Sequence, residues 1–336
     1  MLQHGKKIMA ALGFAAALCS ASAAQAGAWD EYKARFLSPE GAVTDSYNNG
    51  MSHSEGQSYG LMFALAYNDT AAFEKILGWT ETHLADPKTG LHYWAYKPKE
   101  ADPVADKNNA SDGDLLMAWA LLKAGKAWKR KDYTQKAEQL AQAIAQNVSV
   151  NFAGYQVLLP GLEGFYRNSS VVVNPSYLIL PALRDLANAT HDKKFADLYS
   201  DGKRLLNAIA AMQLKVPLTP DWAELDAQGK VAPASDWPAR SSYDAIRVPL
   251  YVYWDDPESP LLKPWRAWFS SYPDTKNPAW VNVTTGEVAN YPEPDGLKAV
   301  RALTLGQPVD EPVIAESDDY YNASLKILAF LAKNRF

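Results

Sequence analysis

The chain has 336 residues with 33 Lys and Arg, 38 Asp and Glu, and a formal net charge of −5. This length suffices for one large domain or two ordinary ones. The negative charge argues against proteins that bind nucleic acid or an anionic membrane surface, because both partners attract basic surfaces.

Residues 1–26 have the features of a secretory signal peptide. Lys6 and Lys7 precede an apolar run, 8–18, and Ala24-Gln25-Ala26 forms an A-x-A cleavage site. The run is shorter than the ~20 apolar residues that cross a bilayer, and no later segment is long and apolar enough. We therefore expect an exported protein, periplasmic or secreted, with cleavage near Ala26 and no membrane insertion.

The single cysteine, Cys19, lies within this predicted signal. Leu18 precedes it where a lipoprotein signal needs a small residue, so no lipid anchor is predicted. The mature chain, starting near Gly27, then has no disulfide and depends on its core for stability. Removal of the two signal lysines changes the net charge from −5 to −7.

Residues 52–60, SHSEGQSYG, allow three interpretations. The G-x-S-x-G pattern around Ser58 is that of a serine hydrolase's nucleophile elbow. Ser52 and Glu55 have the spacing of a helix capping box. As a third possibility, Glu55 is a catalytic acid, whose pKa would be raised by apolar and aromatic neighbours such as Tyr59.

The serine interpretation is the weakest of the three. A nucleophile elbow follows a strand and needs a later histidine, but the residues before Ser58 are polar and turn-like. The histidines beyond the signal all precede the last third of the chain: His53, His83, His92 and His191. They also lack H-x-x-x-H spacing, and residues 106–114 lack the order of a calcium loop, so no metal or other cofactor is predicted.

Two kinds of helical pattern alternate along the chain. Residues 59–67, 115–122 and 325–332 are apolar on all sides, as in enclosed helices. Residues 137–148 and 195–213 are amphipathic, as in outer helices. The alternation predicts concentric helical layers.

One segment does not fit this pattern. Residues 246–254, IRVPLYVYW, are rich in β-branched and aromatic residues and have the propensity of a strand. Pro249 argues against a central strand, so the residues alone leave this segment undecided.

Acidic residues open the most enclosed of these helices. Asp112 and Asp114 stand at the start of DGDLLMAWALL. The helix dipole favours acids in a first turn, which is an ordinary structural explanation. If inner helices end at the mouth of a helical barrel, however, Asp112 would face a cleft.

A third acidic segment is SSYDAIR, 241–247, where Asp244 lies between Tyr243 and Arg247. The structural explanation is a surface ion pair at i, i+3 spacing. Asp244 is also a candidate partner for the carboxyl group of Glu55.

Residues 110–128 resemble the signature of glycoside hydrolase family 8 at every fixed position over nineteen residues. The matching positions are Ala110-Ser111-Asp112-Gly113-Asp114, Met117-Ala118, Ala120-Leu121-Leu122, Ala124 and Trp128. SHSEGQSYG and SSYDAIRVPLY resemble two further blocks of the family, and NPSYL and DDYYNASL follow in the expected order. The similarity is strongest to the endoglucanases encoded with bacterial cellulose synthases, and it covers 27–336 as a single catalytic domain.

The resemblance implies an all-α fold, an (α/α)6 barrel of six inner and six outer helices, and it makes 246–254 helical. It implies that Glu55 is the proton donor and Asp244 the general base, while Asp112 binds and distorts the sugar at the cleavage subsite. The substrate-binding residues that it suggests are Tyr59, Trp94, Asp114, Asn174, Tyr177, Tyr243, Arg247 and Tyr320. Asp114 has a structural role as its alternative, and Tyr320 and Tyr321 are interchangeable at this stage.

We therefore expect an endo-β-1,4-glucanase that cuts cellulose with inversion and needs no cofactor. The 11 Trp and 18 Tyr agree with a β-1,4-glucan partner, because flat rings stack on sugar faces, although most single rings serve packing. The cellulose synthase export machinery is a candidate protein partner. The alternatives are a family member acting on chitosan or xylan, and a non-catalytic cellulose-binding protein.

Overall fold

The computed structural model describes residues 27–273 and 275–336, so the predicted signal peptide, 1–26, lies outside it. The described residues form eleven α-helices. They are α1 Ala28–Phe36, α2 Ser54–Ala66, α3 Thr70–His83, α4 Ser111–Ala127, α5 Lys131–Asn147, α6 Leu180–Thr190, α7 Lys193–Ala210, α8 Arg247–Asp255, α9 Lys263–Ser270, α10 Asp295–Thr304 and α11 Tyr320–Lys333.

Short strands in the connections between helices form four small antiparallel sheets. They are β1 Ser52–His53 with β2 Ala95–Tyr96, β3 Ser149–Phe152 with β4 Tyr155–Leu158, β5 Ser170–Val173 with β6 Ala223–Asp226 and β7 Val231–Pro233, and β8 Arg240–Ser241 with β9 Val281–Asn282. The helical framework agrees with the prediction, and these sheets are an addition that the sequence patterns did not indicate.

The two kinds of helix are found where the sequence predicted them. In α2, α4 and α11 buried side chains occur on every face. In α5 and α7 the buried residues form one stripe, and charged residues occupy the other face. Enclosed and amphipathic helices therefore alternate along much of the chain, because each apolar face is matched to a neighbour.

The segment 246–254 is helical, against its strand propensity. Its residues 247–254 are all buried within α8, so packing overrides an intrinsic preference worth at most ~1 kcal/mol. Pro249 is the third residue of this helix. The N–H groups of a first turn have no intrahelical acceptor, and proline costs little there.

Contacts between helices follow a closed order. α2 packs on α4, α4 on α6, α6 on α8, α8 on α10, α10 on α11, and α11 on α2 again. The five other helices pack outside this series: α3 on α2, α5 on α4, α7 on α6, α9 on α10, and α1 on α11. No helix within the described residues is long and apolar enough to cross a membrane.

The candidate residues lie where helices of this series begin. Glu55, Asp112 and Tyr320 are in the first turns of α2, α4 and α11, and Asp244 precedes α8. Helix starts tolerate acidic side chains, because the dipole and the free N–H groups favour negative charge there.

Candidate active site

Arg247, the first residue of α8, is the centre of the site. Its Nη1 donates to Glu55 Oε2 and, at 3.2 Å, to Asp112 Oδ2, and its Nη2 donates to Asp244 Oδ1 at 2.7 Å. The guanidinium is almost fully buried, with its side chain 3% exposed. One planar cation thus orients the three acids that the sequence singled out, as the fixed fork of an arginine allows.

The three carboxyl groups differ in their access to solvent. The side chain of Asp112 is 6% exposed, that of Glu55 21% and that of Asp244 35%. Glu55 and Asp244 both line a cavity of about 370 Å³, together with Tyr243 and Tyr320. Asp112 is not among the residues that line this cavity, whereas Glu55 and Asp244 both face it.

This arrangement favours retention of a proton within the cluster. Burial raises the pKa of Asp112 to about 7, with the charges of Glu55 and Asp244 adding to the rise and Arg247 opposing it. Burial also raises the pKa of Asp244, again against the opposing charge of Arg247. One guanidinium cannot balance three neighbouring carboxylates, so full ionisation is disfavoured.

Tyr320 contacts Glu55 from α11. Its hydroxyl donates to Oε1 at 3.1 Å, and burial raises the pKa of Tyr320 well above 10, so that it stays a donor. Gly56 makes room for this ring, since a Cβ at Gly56 would lie 2.9 Å from the Tyr320 hydroxyl.

Gly113 brings the start of α4 against the start of α2. A Cβ there would lie 2.4 Å from Ser54 Oγ and 2.9 Å from the backbone nitrogen of Glu55. Asp112 also accepts the Gly113 N–H at 2.8 Å. The close packing explains why glycine stands at position 113, because the absence of a side chain lets two acid-bearing helix ends touch.

Asp114, the second acid of the signature, is fully buried and is bound by its own chain. Its Oδ1 accepts the backbone N–H of His92 at 3.0 Å and lies 2.8 Å from His92 Nδ1, and its Oδ2 accepts the Asn109 amide at 2.9 Å. These contacts fasten the connection that carries Trp94 to α4. They favour the structural role for Asp114 over a contact with substrate.

A short 3-10 helix, Pro175–Tyr177, lies beside Arg247, with Asn174 as its N-cap residue and Tyr177 as its last residue. Ser176 Oγ accepts from Arg247 Nη2 at 3.0 Å and donates to Asn174 Oδ1 at 2.7 Å. The Tyr177 ring lies 5.8 Å from the guanidinium carbon of Arg247. Both predicted residues thus border the cluster, and Asn174 acts on Arg247 through Ser176.

Tyr59 lies beneath the cluster in α2, where its hydroxyl accepts from Arg247 Nη1 at 3.2 Å. The residue is 1% exposed, so it supports the arginine from below. Tyr243 stands in the cleft wall, 36% exposed.

The cleft continues beyond the acids toward Trp94. A second cavity, of about 490 Å³, is lined by Trp94, Met51, Lys97 and Asn48, and Asn48 also borders the cavity that contains Glu55. The Trp94 indole donates to Asp106 at 2.8 Å, which fixes its ring. The acids therefore lie along an open groove with aromatic side chains, a shape that admits a chain molecule.

Two residues of the site, Ser176 and Asp221, were not singled out from the sequence, and Tyr321 was named only as an alternative to Tyr320. Tyr321 donates its hydroxyl to the backbone carbonyl of Tyr243, and Asp221 accepts N–H groups from Ser242 and Ala245. Tyr321 stood in a matching block, but Asp221 lies in an aperiodic loop with no motif around it.

The other interpretations of 52–60 do not describe the observed contacts. Ser58 is buried in α2, and its Oγ donates to the Glu55 carbonyl at 2.6 Å. His53 is the N-cap residue without a side-chain cap bond, and the Glu55 carboxylate contacts Arg247 and Tyr320 instead of closing a capping box. Within 27–273 and 275–336 no group of three His, Cys, Asp or Glu residues could hold a metal ion.

Comparisons with known proteins identify relatives of this chain. The family model for glycosyl hydrolases family 8 matches residues 3–335. An endoglucanase of Cellulomonas uda is 48% identical over 283 residues, which are 84% of this chain and 78% of that protein.

Solved structures of endoglucanases also superpose on this chain. Endoglucanase Cel10, a family 8 glycosyl hydrolase from Klebsiella pneumoniae, superposes with a TM-score of 0.90 at 49% identity, covering 92% of this chain and 99% of that one. The endo-beta-1,4-glucanase CMCax from Acetobacter xylinum gives 0.86 at 36% identity, covering 91% and 97%.

Proposed function

The chain belongs to glycosyl hydrolase family 8, and from this membership and the site we propose that it is an endo-β-1,4-glucanase. The observation that carries the proposal is the cluster in the cleft, where Arg247 holds Glu55, Asp112 and Asp244. Paired carboxyl groups facing one groove are the machinery of glycoside hydrolysis.

In the proposed mechanism Glu55 is the general acid and protonates the glycosidic oxygen. Asp244 is the general base and takes a proton from a water that attacks the anomeric carbon from the opposite face. Such inversion needs room for the water, so the two carboxyl groups must be roughly 6.5–9.5 Å apart when substrate is bound. Asp112 contacts the hydroxyls of the sugar at the point of cleavage and stabilises positive charge on its ring.

The cluster can supply the proton that this mechanism needs. Burial and the charges of Glu55 and Asp244 raise the pKa of Asp112 to about 7, so this carboxyl group is partly protonated at neutral pH. Arg247 Nη1 contacts both Asp112 and Glu55, so these two groups compete for the same positive charge. Donation by Glu55 then requires the proton to reside on Glu55 once a sugar occupies the cleft.

The groove suits a long glucan. Trp94 in the neighbouring cavity and Tyr243 beside the acids are candidate stacking residues, and Asn174, whose side chain contacts Asp244, is a candidate donor to the substrate. An open groove admits internal bonds of a polymer, and the name of the Acetobacter xylinum structure supports β-1,4-linked glucan.

Two further points, on the fold and on the location of the protein, belong to the same proposal. The closed order of contacts from α2 to α11 supports an (α/α)6-type barrel, with six inner helices and, among the described residues, five outer helices where six were expected. We further propose export, as the first 26 residues suggest, and a role beside the cellulose synthase export machinery.

The test is release of reducing ends from carboxymethyl cellulose, chitosan and xylan, together with solution viscosity. We expect cleavage of carboxymethyl cellulose, with viscosity falling early because internal bonds are cut. Glu55→Gln should lower kcat/KM by about 10²–10⁴-fold, the usual contribution of a general acid. Glu81→Gln is the matched control, since Glu81 pairs with Lys136 on the surface.

Cleavage of chitosan or xylan but not of carboxymethyl cellulose would mean that the enzyme acts on that polymer and not on cellulose. Full activity of Glu55→Gln, or binding of cellulose without cleavage by the unaltered protein, would contradict the proposal.

A further inference from the structure

Asp221 fastens the loop that carries Asp244. Its Oδ1 accepts the backbone N–H groups of Ser242 at 2.9 Å and Ala245 at 2.8 Å, and its Oδ2 accepts the Ser242 hydroxyl. The Asp221 N–H in turn donates to the Arg240 carbonyl at 2.7 Å. One carboxyl group therefore binds the backbone on both sides of Asp244.

This carboxyl group is held in an unfavourable environment. Asp221 is 9% exposed, and no Lys, Arg or His of the described ranges 27–273 and 275–336 forms an ion pair with it. Burial raises the pKa of Asp221 to about 6, and the charge of Asp244 adds to the rise. Burial of a carboxylate beside another acid, with no cation paired to it, lowers the stability of the fold. The hydrogen bonds that the Asp221 carboxyl group accepts all come from the 242–245 loop.

Two other contacts act on the same loop from different directions. Arg247 donates to the Asp244 carboxylate itself, and Tyr321 donates to the carbonyl of Tyr243. Ser242, Tyr243, Asp244 and Tyr321 line the cleft, and Asp221 is outside its lining. Asp221 thus lies behind the loop, where it does not contact the cleft.

We propose that Asp221 is a positioning residue for Asp244, fixing the 242–245 loop so that the base meets the attacking water. The inference rests on the proposed function, in which Asp244 is the base. Its physical reason is that a misplacement of about 1 Å in a reacting group can cost about 10²-fold in rate.

The experiment compares Asp221→Ala with Asp221→Asn on carboxymethyl cellulose. Alanine removes all three hydrogen bonds to the loop. Asparagine keeps them, because its oxygen accepts the two N–H groups and its nitrogen donates to the Ser242 hydroxyl. We expect kcat of Asp221→Ala to fall about 100-fold with KM unchanged, and Asp221→Asn to restore kcat to within a few-fold of the unaltered protein.

Asp226→Ala is the matched control. Asp226 also accepts two backbone N–H groups, those of Gln228 and Lys230 at 2.9 Å each, in the turn that follows β6. We expect this variant to keep both kcat and KM.

If Asp221→Ala does not fold, Ser242→Ala tests the same link from the loop by removing one of its hydrogen bonds. A lower kcat at unchanged KM supports the inference, and an unchanged kcat overturns it. A folded Asp221→Ala with normal kcat, or with only KM raised, also overturns it.

Asp244→Asn in the same assay separates this inference from the proposed function. If Asp244→Asn is inactive and Asp221→Ala is fully active, only the positioning role fails. If Asp244→Asn is fully active, the assignment of the base fails, and the inference fails with it.

Discussion

Among the single residues of the site, Arg247 is the one that holds the acids together. It contacts Glu55, Asp112 and Asp244 with one buried charge. A buried cation needs partners, and three acids around it leave the cluster with excess negative charge. The result is a group of acids with different exposure, in which burial raises the pKa of Asp112 and of Asp244.

Protonation of Asp112 makes the stability of the protein depend on pH. Its pKa rises from 3.8 in an unperturbed carboxyl to about 7 in the folded protein, so the native state binds its proton more tightly than the unfolded state. That contribution to stability is complete below about pH 4 and is lost as the pH rises toward 7.

As the pH rises from about 4 to about 7, we therefore expect the free energy of unfolding of Asp112→Asn to fall less, or to rise more, than that of the unaltered protein. Urea denaturation across this range measures it. Asp30→Asn, a change of an exposed carboxylate on α1, should keep the original slope. Equal slopes for Asp112→Asn and the unaltered chain would contradict the pKa assigned to Asp112.

The sequence identified the three acids of the cluster but not all of their supports. Glu55, Asp112 and Asp244 stand in blocks whose pattern can be recognised. Asp221 lies in a loop outside these blocks, and Ser176 stands in the NPSYL block but within a short 3-10 helix, where no periodicity predicts its neighbours. Their roles depend on which backbone groups come near them in three dimensions, and this is a property of the fold.

Helix ends build the site at the scale of elements. The starts of α2 and α4 meet because Gly113 has no side chain, and α11 adds Tyr320 beside Gly56. Enclosed helices were predictable from their apolar surfaces. The helical state of 246–254 was not predictable from propensity, because burial of α8 among other helices determines it.

Gly113→Ala tests this meeting of helix ends. The added Cβ would lie 2.8 Å from a Ser54 backbone carbon and 2.9 Å from the Glu55 nitrogen, so α4 must move away from α2. We expect a lower Tm, by overpacking of about 1–3 kcal/mol, and a fall in kcat/KM on carboxymethyl cellulose of at least ~10-fold.

Gly78→Ala in α3 is the control, since its Cβ would meet nothing within 4 Å. Replacing an interior helical glycine there should stabilise the protein by about 0.5–1 kcal/mol and leave activity unchanged. A Gly113→Ala variant with normal Tm and activity would show that the close approach is unnecessary.

One hydrophobic cluster extends through the described molecule. It includes side chains from α1, the six helices in closed contact and the outer helices, for example Trp29, Leu116, Ile144, Leu250 and Leu328. The sequence predicted the layers through alternating helical patterns. It did not reveal which helix closes on which, because the contact of α11 with α2 joins segments more than 250 residues apart in the chain.

This main core, shared by the helices, predicts cooperative unfolding of residues 27–336. We expect one transition in scanning calorimetry, with calorimetric and van't Hoff enthalpies that agree. The Glu55→Gln variant should show the same single transition. Two separable transitions would contradict the assignment of 27–336 to one domain.

Inversion by Glu55 and Asp244 can be tested by proton NMR of the first product. The purified mature chain is mixed with a soluble β-1,4-gluco-oligosaccharide, and the anomeric signals are followed before mutarotation. We expect α-anomer to appear first, and we expect Glu55→Gln and Asp244→Asn to produce none at a comparable rate. Initial β-anomer would mean retention and would contradict it.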